Sequence, residues 1–166
     1  TAAQSGGSLS VEDSALRVEN CQMTNGTANL GGFIDSLRST FILRNSTLEN
    51  GLARLRGGAI WASVESNVEI QNVSMRFNEA IDTGGAVFVV GRSNVTVNNS
   101  DFSSNLASSG GGGVFVSTSE LLVLDSVFSA NAVNLTGAGI DCAQFSRCTV
   151  VNTRFLDDRA NNGGRS

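Results

Sequence analysis

One interval governs this chain of 166 residues. The second small residue of successive glycine pairs falls at Gly7, Gly32, Gly58, Gly85, Gly113, Gly139 and Gly164, giving steps of 25, 26, 27, 28, 26 and 25 residues. A second column, Asn20, Asn45, Asn72, Asn99, Asp125 and Asn152, keeps nearly the same step. Three residues after each of these stands a large apolar side chain: Met23, Leu48, Met75, Phe102, Phe128 or Phe155. Eight residues after each stands Ala28, Ala53, Ala80, Ala107, Val133 or Ala160. Columns that stay aligned over six units identify a repeat protein, and the period limits the folds open to it.

Inside each unit the pattern changes to a period of two. FILRN (41–45), VEIQN (68–72), VTVNN (95–99) and LLVLD (121–125) place apolar side chains at their first and third positions, as a strand does. The runs after the glycines, such as GGAIWAS and GGAVFVV, read as a second strand, and the segment through the Met/Phe column as a short third. No helical period or capped run of helix formers occurs. Strands this short would need an Asn-Gly type of turn at every junction to pair as hairpins. Stacking unit on unit at about 4.8 Å pairs them all instead. The sequence therefore predicts an all-β parallel solenoid of about six coils of 25–28 residues, with three short strands per coil, as a single unit over 1–166.

In such a stack every column becomes a ladder. Leu16/Phe41/Val68/Val95/Leu121/Cys148 and Val18/Leu43/Ile70/Val97/Val123/Val150 are the expected core, filled from a third side by Met23 through Phe155. The ladder Asn20, Asn45, Asn72, Asn99, Asp125, Asn152 is expected at a bend, with its amides stacked inside and satisfying one another. Asp125 interrupts it, because a carboxylate accepts but does not donate.

The combination of Gly-Gly-Ala-Ile (57–60), Gly-Gly-Ala-Val (84–87) and Phe-x-x-Asn (102–105 and 128–131) resembles the repeats of polymorphic outer-membrane-protein adhesins, and more broadly right-handed parallel β-helix proteins. The resemblance covers essentially the whole chain. It implies a right-handed β-helix at a cell surface or secreted, often in adhesion. The sequence departs from it where Met23 and Leu48 replace Phe, where Gly26 and Gly51 replace Asn, and in the last unit at Ala138-Gly139 and Asp158.

Composition excludes several functions. The net charge of -4, without arginine-rich runs, leaves no basic footprint for nucleic acid. No apolar run approaches the roughly 18 residues that a membrane span needs, so membrane insertion is not expected. His and Tyr are absent and all eleven basic residues are Arg, so catalysis would fall to carboxylates and thiols. Glycoside hydrolysis needs two carboxylates about 5–9.5 Å apart, whereas Asp35 and Asp141 lie four coils apart, about 19 Å. Asp157 and Asp158 read as a solvated turn with Arg159, and Asp82 and Asp101 stand on different edges. SSGGGGVF (108–115) lacks the Lys and Ser/Thr of a phosphate loop. No zinc or calcium ligand spacing is present, and no metal or cofactor is expected.

Six Asn-x-Ser/Thr sequons occur. Asn45 and Asn72 belong to the bend ladder and are expected to be inaccessible; Asn25, Asn94, Asn98 and Asn134 are the candidates for covalent N-glycans, Asn98 facing solvent beside an enclosed Asn99. Cys142 and Cys148 could close a small disulfide loop, with three buried thiols as the alternative. On the first strand, Trp61, Phe88 and Val116 are expected to point outward as an apolar stripe for a partner chain, unless the face is reversed and Trp61 is core. Gly6-Gly7 opens one coil and Gly163-Gly164 another, and a bare terminal coil exposes strand edges. The segment is therefore expected to be part of a longer protein or to stack end to end with other chains. The function expected is a non-catalytic extracellular structural or adhesive β-helix, such as a building block of a surface appendage or filament. The alternative is a segment of a polysaccharide-binding or polysaccharide-cleaving β-helix.

Overall fold

A computed structural model describes residues 3–161 of the chain. Gly163 and Gly164, read as the start of a seventh coil, lie outside the described residues. Among the described residues all strand pairs are parallel and form four sheets, one of seven strands and three of six. The coil in the middle of the stack shows the plan: Val87–Val90 in the first sheet, Asn94–Asn98 in the second, Asp101–Ser103 in the third and Leu106–Ala107 in the fourth. The solenoid thus has the expected coils, but four strands in each where three were expected. Two-residue strands such as Leu106–Ala107 hold no readable alternation, so only their pairing to the coils on either side, Glu79–Ala80 and Ala132–Val133, defines them.

Corners are made by left-handed residues. In this coil Gly84 (φ 69°), Arg92 (φ 61°), Asn99 (φ 46°) and Ser104 (φ 54°) turn the chain between successive sheets. Gly84 is required there, because a Cβ would stand 2.6 Å from the carbonyl oxygen of Val87. Its neighbour Gly85 is required for a different reason: a Cβ would stand 2.1 Å from the carbonyl oxygen of Gly112 in the next coil.

That contact corrects the glycine column. Gly85 abuts Gly112, not Gly113, and Gly112 abuts Ala138, not Gly139. Four consecutive glycines (110–113) carry no side chain to mark the alignment, so the spacing of 28 residues hides a slip of one. A slip of one reverses the face of every side chain in that strand. The outward column is accordingly Asp35, Trp61, Phe88, Phe115 and Asp141. Val116 pairs with Val89 and is wholly buried, so it does not belong to the stripe in which it was expected.

The second-sheet core follows the expected ladders, from Leu16↔Phe41 and Val18↔Leu43 onward to Leu121↔Cys148 and Val123↔Val150. In the third sheet Phe102 stacks on Phe128 at 4.8 Å and Phe128 on Phe155 at 5.2 Å, ring over ring. Each fully buried side chain of this size contributes about 1.5–3 kcal/mol through removal of its surface from water. The last coil is different: Val150 and Phe155 are 42% and 48% exposed, because no described coil lies beyond them.

The asparagine column also needs correcting. Asn20, Asn45, Asn72, Asn99, Asp125 and Asn152 all take left-handed φ between 46° and 53°, and all are exposed. A left-handed residue at a corner turns its side chain away from the core, and an amide is satisfied there by water. The ladder runs on the surface through Asn72 Nδ2 to Asn45 Oδ1 (3.1 Å) and Asn99 Nδ2 to Asn72 Oδ1 (2.6 Å). In both bonds a rung donates to the rung before it; Asp125 has no donor to do so, and among the described residues no side-chain bond joins it to Asn99.

The enclosed ladder stands six residues further on, at the Asn of Phe-x-x-Asn. Asn78, Asn105 and Asn131 are completely buried. Asn105 Oδ1 accepts from both the backbone N–H and the Nδ2 of Asn78, each at 3.0 Å. Asn105 Nδ2 donates in turn to Asn131 Oδ1 (2.9 Å) and to the carbonyl of Met75 (3.0 Å). Serine hydroxyls do similar work at the corners flanking the second sheet: Ser66 N–H donates to Ser93 Oγ and Ser100 N–H to Ser126 Oγ, both at 3.1 Å. Corner N–H groups facing along the stack would otherwise be buried without a partner, at about 1–3 kcal/mol each.

Candidate functional site

The outer faces are where chemistry could take place, and six of their carboxylates are engaged from coil to coil. Arg38 holds Glu12 at 2.6 Å and grips Asp13 through Nε and Nη2, at 2.7 and 2.8 Å. That hydrogen-bonded guanidinium keeps the Asp13 carboxyl below the ordinary carboxylate range. Arg44 pairs with Glu69 (2.6 Å), Arg56 with Asp82 (3.0 Å), Arg76 with Glu49 (3.1 Å) and Arg92 with Glu65 (2.7 Å). Each of these partners lies 25–27 residues away, one coil up or down. Among the described residues no group of three or more His, Cys, Asp and Glu is placed to hold a metal ion.

The first sheet carries the most shaped surface. Phe88 and Phe115 stack at 5.3 Å, almost parallel, and the Arg56 guanidinium lies over the Phe88 ring at 5.2 Å. Arg56 in this position, tied to Asp82, covers part of what was expected to be an open stripe: Phe88 is only 3% exposed, and Trp61 is half-buried. A cleft of about 350 Å³ opens beside them, lined by Arg56, Asp82, Thr83, Phe88, Phe115 and Gln144. Acids flank the three aromatic residues of the column on either side. Burial pushes the Asp35 carboxyl up, against the hydroxyl hydrogen bonds that favour its anion, and Asp141 Oδ2 accepts from Thr136 Oγ1 at 2.5 Å.

A larger cleft of about 550 Å³ lies at the corner between the first and second sheets, bounded by Arg92, Asn94, Glu120, Phe145 and Arg147. Phe145 is fully exposed at a left-handed position, inside the loop that Cys142 and Cys148 close as a disulfide with a Cα separation of 6.3 Å. The two half-cystines occupy inward columns, beside Val116 and Leu121 of the coil above, while Cys21 is free and exposed. Sequence reasoning passed over Phe145; the usable signal was its place at the corner that holds Glu65 and Arg92 in earlier coils.

The sequons divide otherwise than expected. Asn25, Asn94 and Asn134 are exposed, and Asn98 is half-buried on the outward side of the second sheet, in register with Gln71 and Leu124. Asn45 and Asn72 are exposed as well, which overturns their exclusion. Asn94 Nδ2 already donates to Asn67 Oδ1 at 3.1 Å, a second short amide ladder on the surface.

A family model described as a right-handed beta helix region matches residues 7–164. The chain belongs to that family. The match fixes the hand of this β-helix and takes in all six coils, corners and ladders together. No curated protein and no solved structure matches the chain. Among the described residues of this β-helix, no helix is long and apolar enough to cross a membrane.

Proposed function

We propose that this β-helix is a non-catalytic extracellular structural or adhesive element, a building block of a cell-surface appendage or filament that meets other protein chains, or further segments of its own, at the ends of the stack. The observation that carries this reading is the vertical engagement of its acids: Glu12, Asp13, Glu49, Glu65, Glu69 and Asp82 each face an arginine one coil away. Acids held this way staple coils together and leave little freedom for proton transfer. The likeness to adhesin repeats supports the same reading, since both halves of Phe-x-x-Asn lie in the core at Phe102 and Asn105 and serve as scaffold. Sequons on exposed corners suit a glycosylated surface.

A second reading, polysaccharide binding, rests on the cleft at Arg56 and Asp82, where stacked phenyl rings adjoin a charged pair. One experiment separates the two. The folded protein is incubated with neutral and uronate polysaccharides, and reducing ends, unsaturated products and bound ligand are measured. The structural reading expects neither turnover nor saturable binding. Turnover overturns it, and binding abolished by Arg56→Ala replaces it with the second.

A further inference from the structure

The buried amide ladder ends on an acid. Asn78, Asn105 and Asn131 each donate one Nδ2 hydrogen to the next rung and the other to a carbonyl of the preceding coil, that of Leu48, Met75 or Phe102. Asp158 occupies the fourth rung. Its Oδ1 accepts from Asn131 N–H (2.8 Å) and Asn131 Nδ2 (2.9 Å), as the rungs above do. Its Oδ2 therefore falls where those rungs place a nitrogen, and among the described residues it is buried with no hydrogen-bond partner. The same register directs it toward the carbonyl of Phe128. An ionised Oδ2 would set its lone pairs against those of that carbonyl, whereas a protonated Oδ2–H would donate to it and complete the rung.

We propose that Asp158 is a proton-operated latch on the last described coil: protonated, it completes the amide ladder and holds the coil down, and ionised, it leaves an unpaired buried charge that loosens the coil. The groups around it agree. Asp157, adjacent on the same turn, opposes ionisation; the two Asn131 donors favour it; Gly139 and Phe155, packed beside it, are uncharged. Arg159 follows in the chain, but no ion pair to Asp158 forms among the described residues. Burial first, and then Asp157, hold its carboxyl above the ordinary range against the pull of Asn131. A carboxyl whose folded pKa is raised contributes stability that is complete below its unfolded value of about 3.9 and is lost as pH rises through the folded value.

Hydrogen exchange measured from pH 4 to 7.5 tests the latch, read as protection factors for the last coil (Arg147–Val151 and Arg154–Leu156) against those of Asn94–Asn98. In the wild type, protection of the last coil falls as pH rises while that of Asn94–Asn98 holds. Asp158→Asn, which restores the missing donor, removes the fall, whereas Asp35→Asn, which removes the other raised carboxyl, leaves it. A last coil whose protection does not change with pH, or an Asp158→Asn variant that keeps the wild-type fall, overturns the proposal.

Discussion

Asn99 and Asn105 lie six residues apart in one coil, and each belongs to a ladder of asparagines stacked coil on coil. Asn99 is exposed, turns the chain at φ 46° and bonds to one neighbouring amide; Asn105 is wholly buried and bonds to Asn78, Asn131 and the carbonyl of Met75. Water competes for every bond the first can make and for none that the second makes. The surface column is therefore kept for its backbone conformation, since Asn tolerates the left-handed region, and the buried column for its side-chain bonds, since nothing else can satisfy the groups around it.

Substitutions can break this contrast at graded cost. Phe102→Ala, which empties the core beside the buried ladder, is expected to lose about 3–5 kcal/mol in urea unfolding. Asn105→Ala follows at about 3 kcal/mol, because it strands the N–H groups of Asn78 and the carbonyl of Met75. Replacing Cys142 and Cys148 by Ser releases a loop that the chain-entropy model values at about 2 kcal/mol. In a stack where coils touch only their neighbours, that loss is confined to hydrogen exchange in the last coil. Asn99→Gly, which keeps the left-handed corner and deletes only the surface amide, is expected to change stability by less than about 1 kcal/mol. Arg92→Ala, at an exposed ion pair, falls within about 0.5 kcal/mol and less in high salt.

Most of the fold is legible in the sequence because periodicity is a property of columns, and a column survives one aberrant residue. The core ladders from Leu16 to Cys148 and from Val18 to Val150 come straight from alternation. What misleads is any column whose residues suit two environments. Four glycines at 110–113 fit either alignment, and the slip they conceal sends Val116 inward and Phe115 outward. Asparagine suits an exposed left-handed corner as well as a buried ladder, so periodicity alone could not say which column was enclosed. The φ values and the neighbouring donors decide it. The arginine staples were hidden for a further reason: some partners share a column, as Arg76 and Glu49 do, while others are offset along the strand, as Arg44 and Glu69 are, so no one column displays them.

A pair of double-mutant cycles tests most directly the claim that buried amides, and not surface ones, bind coil to coil. One cycle combines Asn78→Ala with Asn105→Ala, the other Asn72→Gly with Asn99→Gly, each followed by urea unfolding. The account predicts a coupling of about 1 kcal/mol or more in the buried pair and near zero in the surface pair. Equal couplings, or a larger one at the surface, would contradict it.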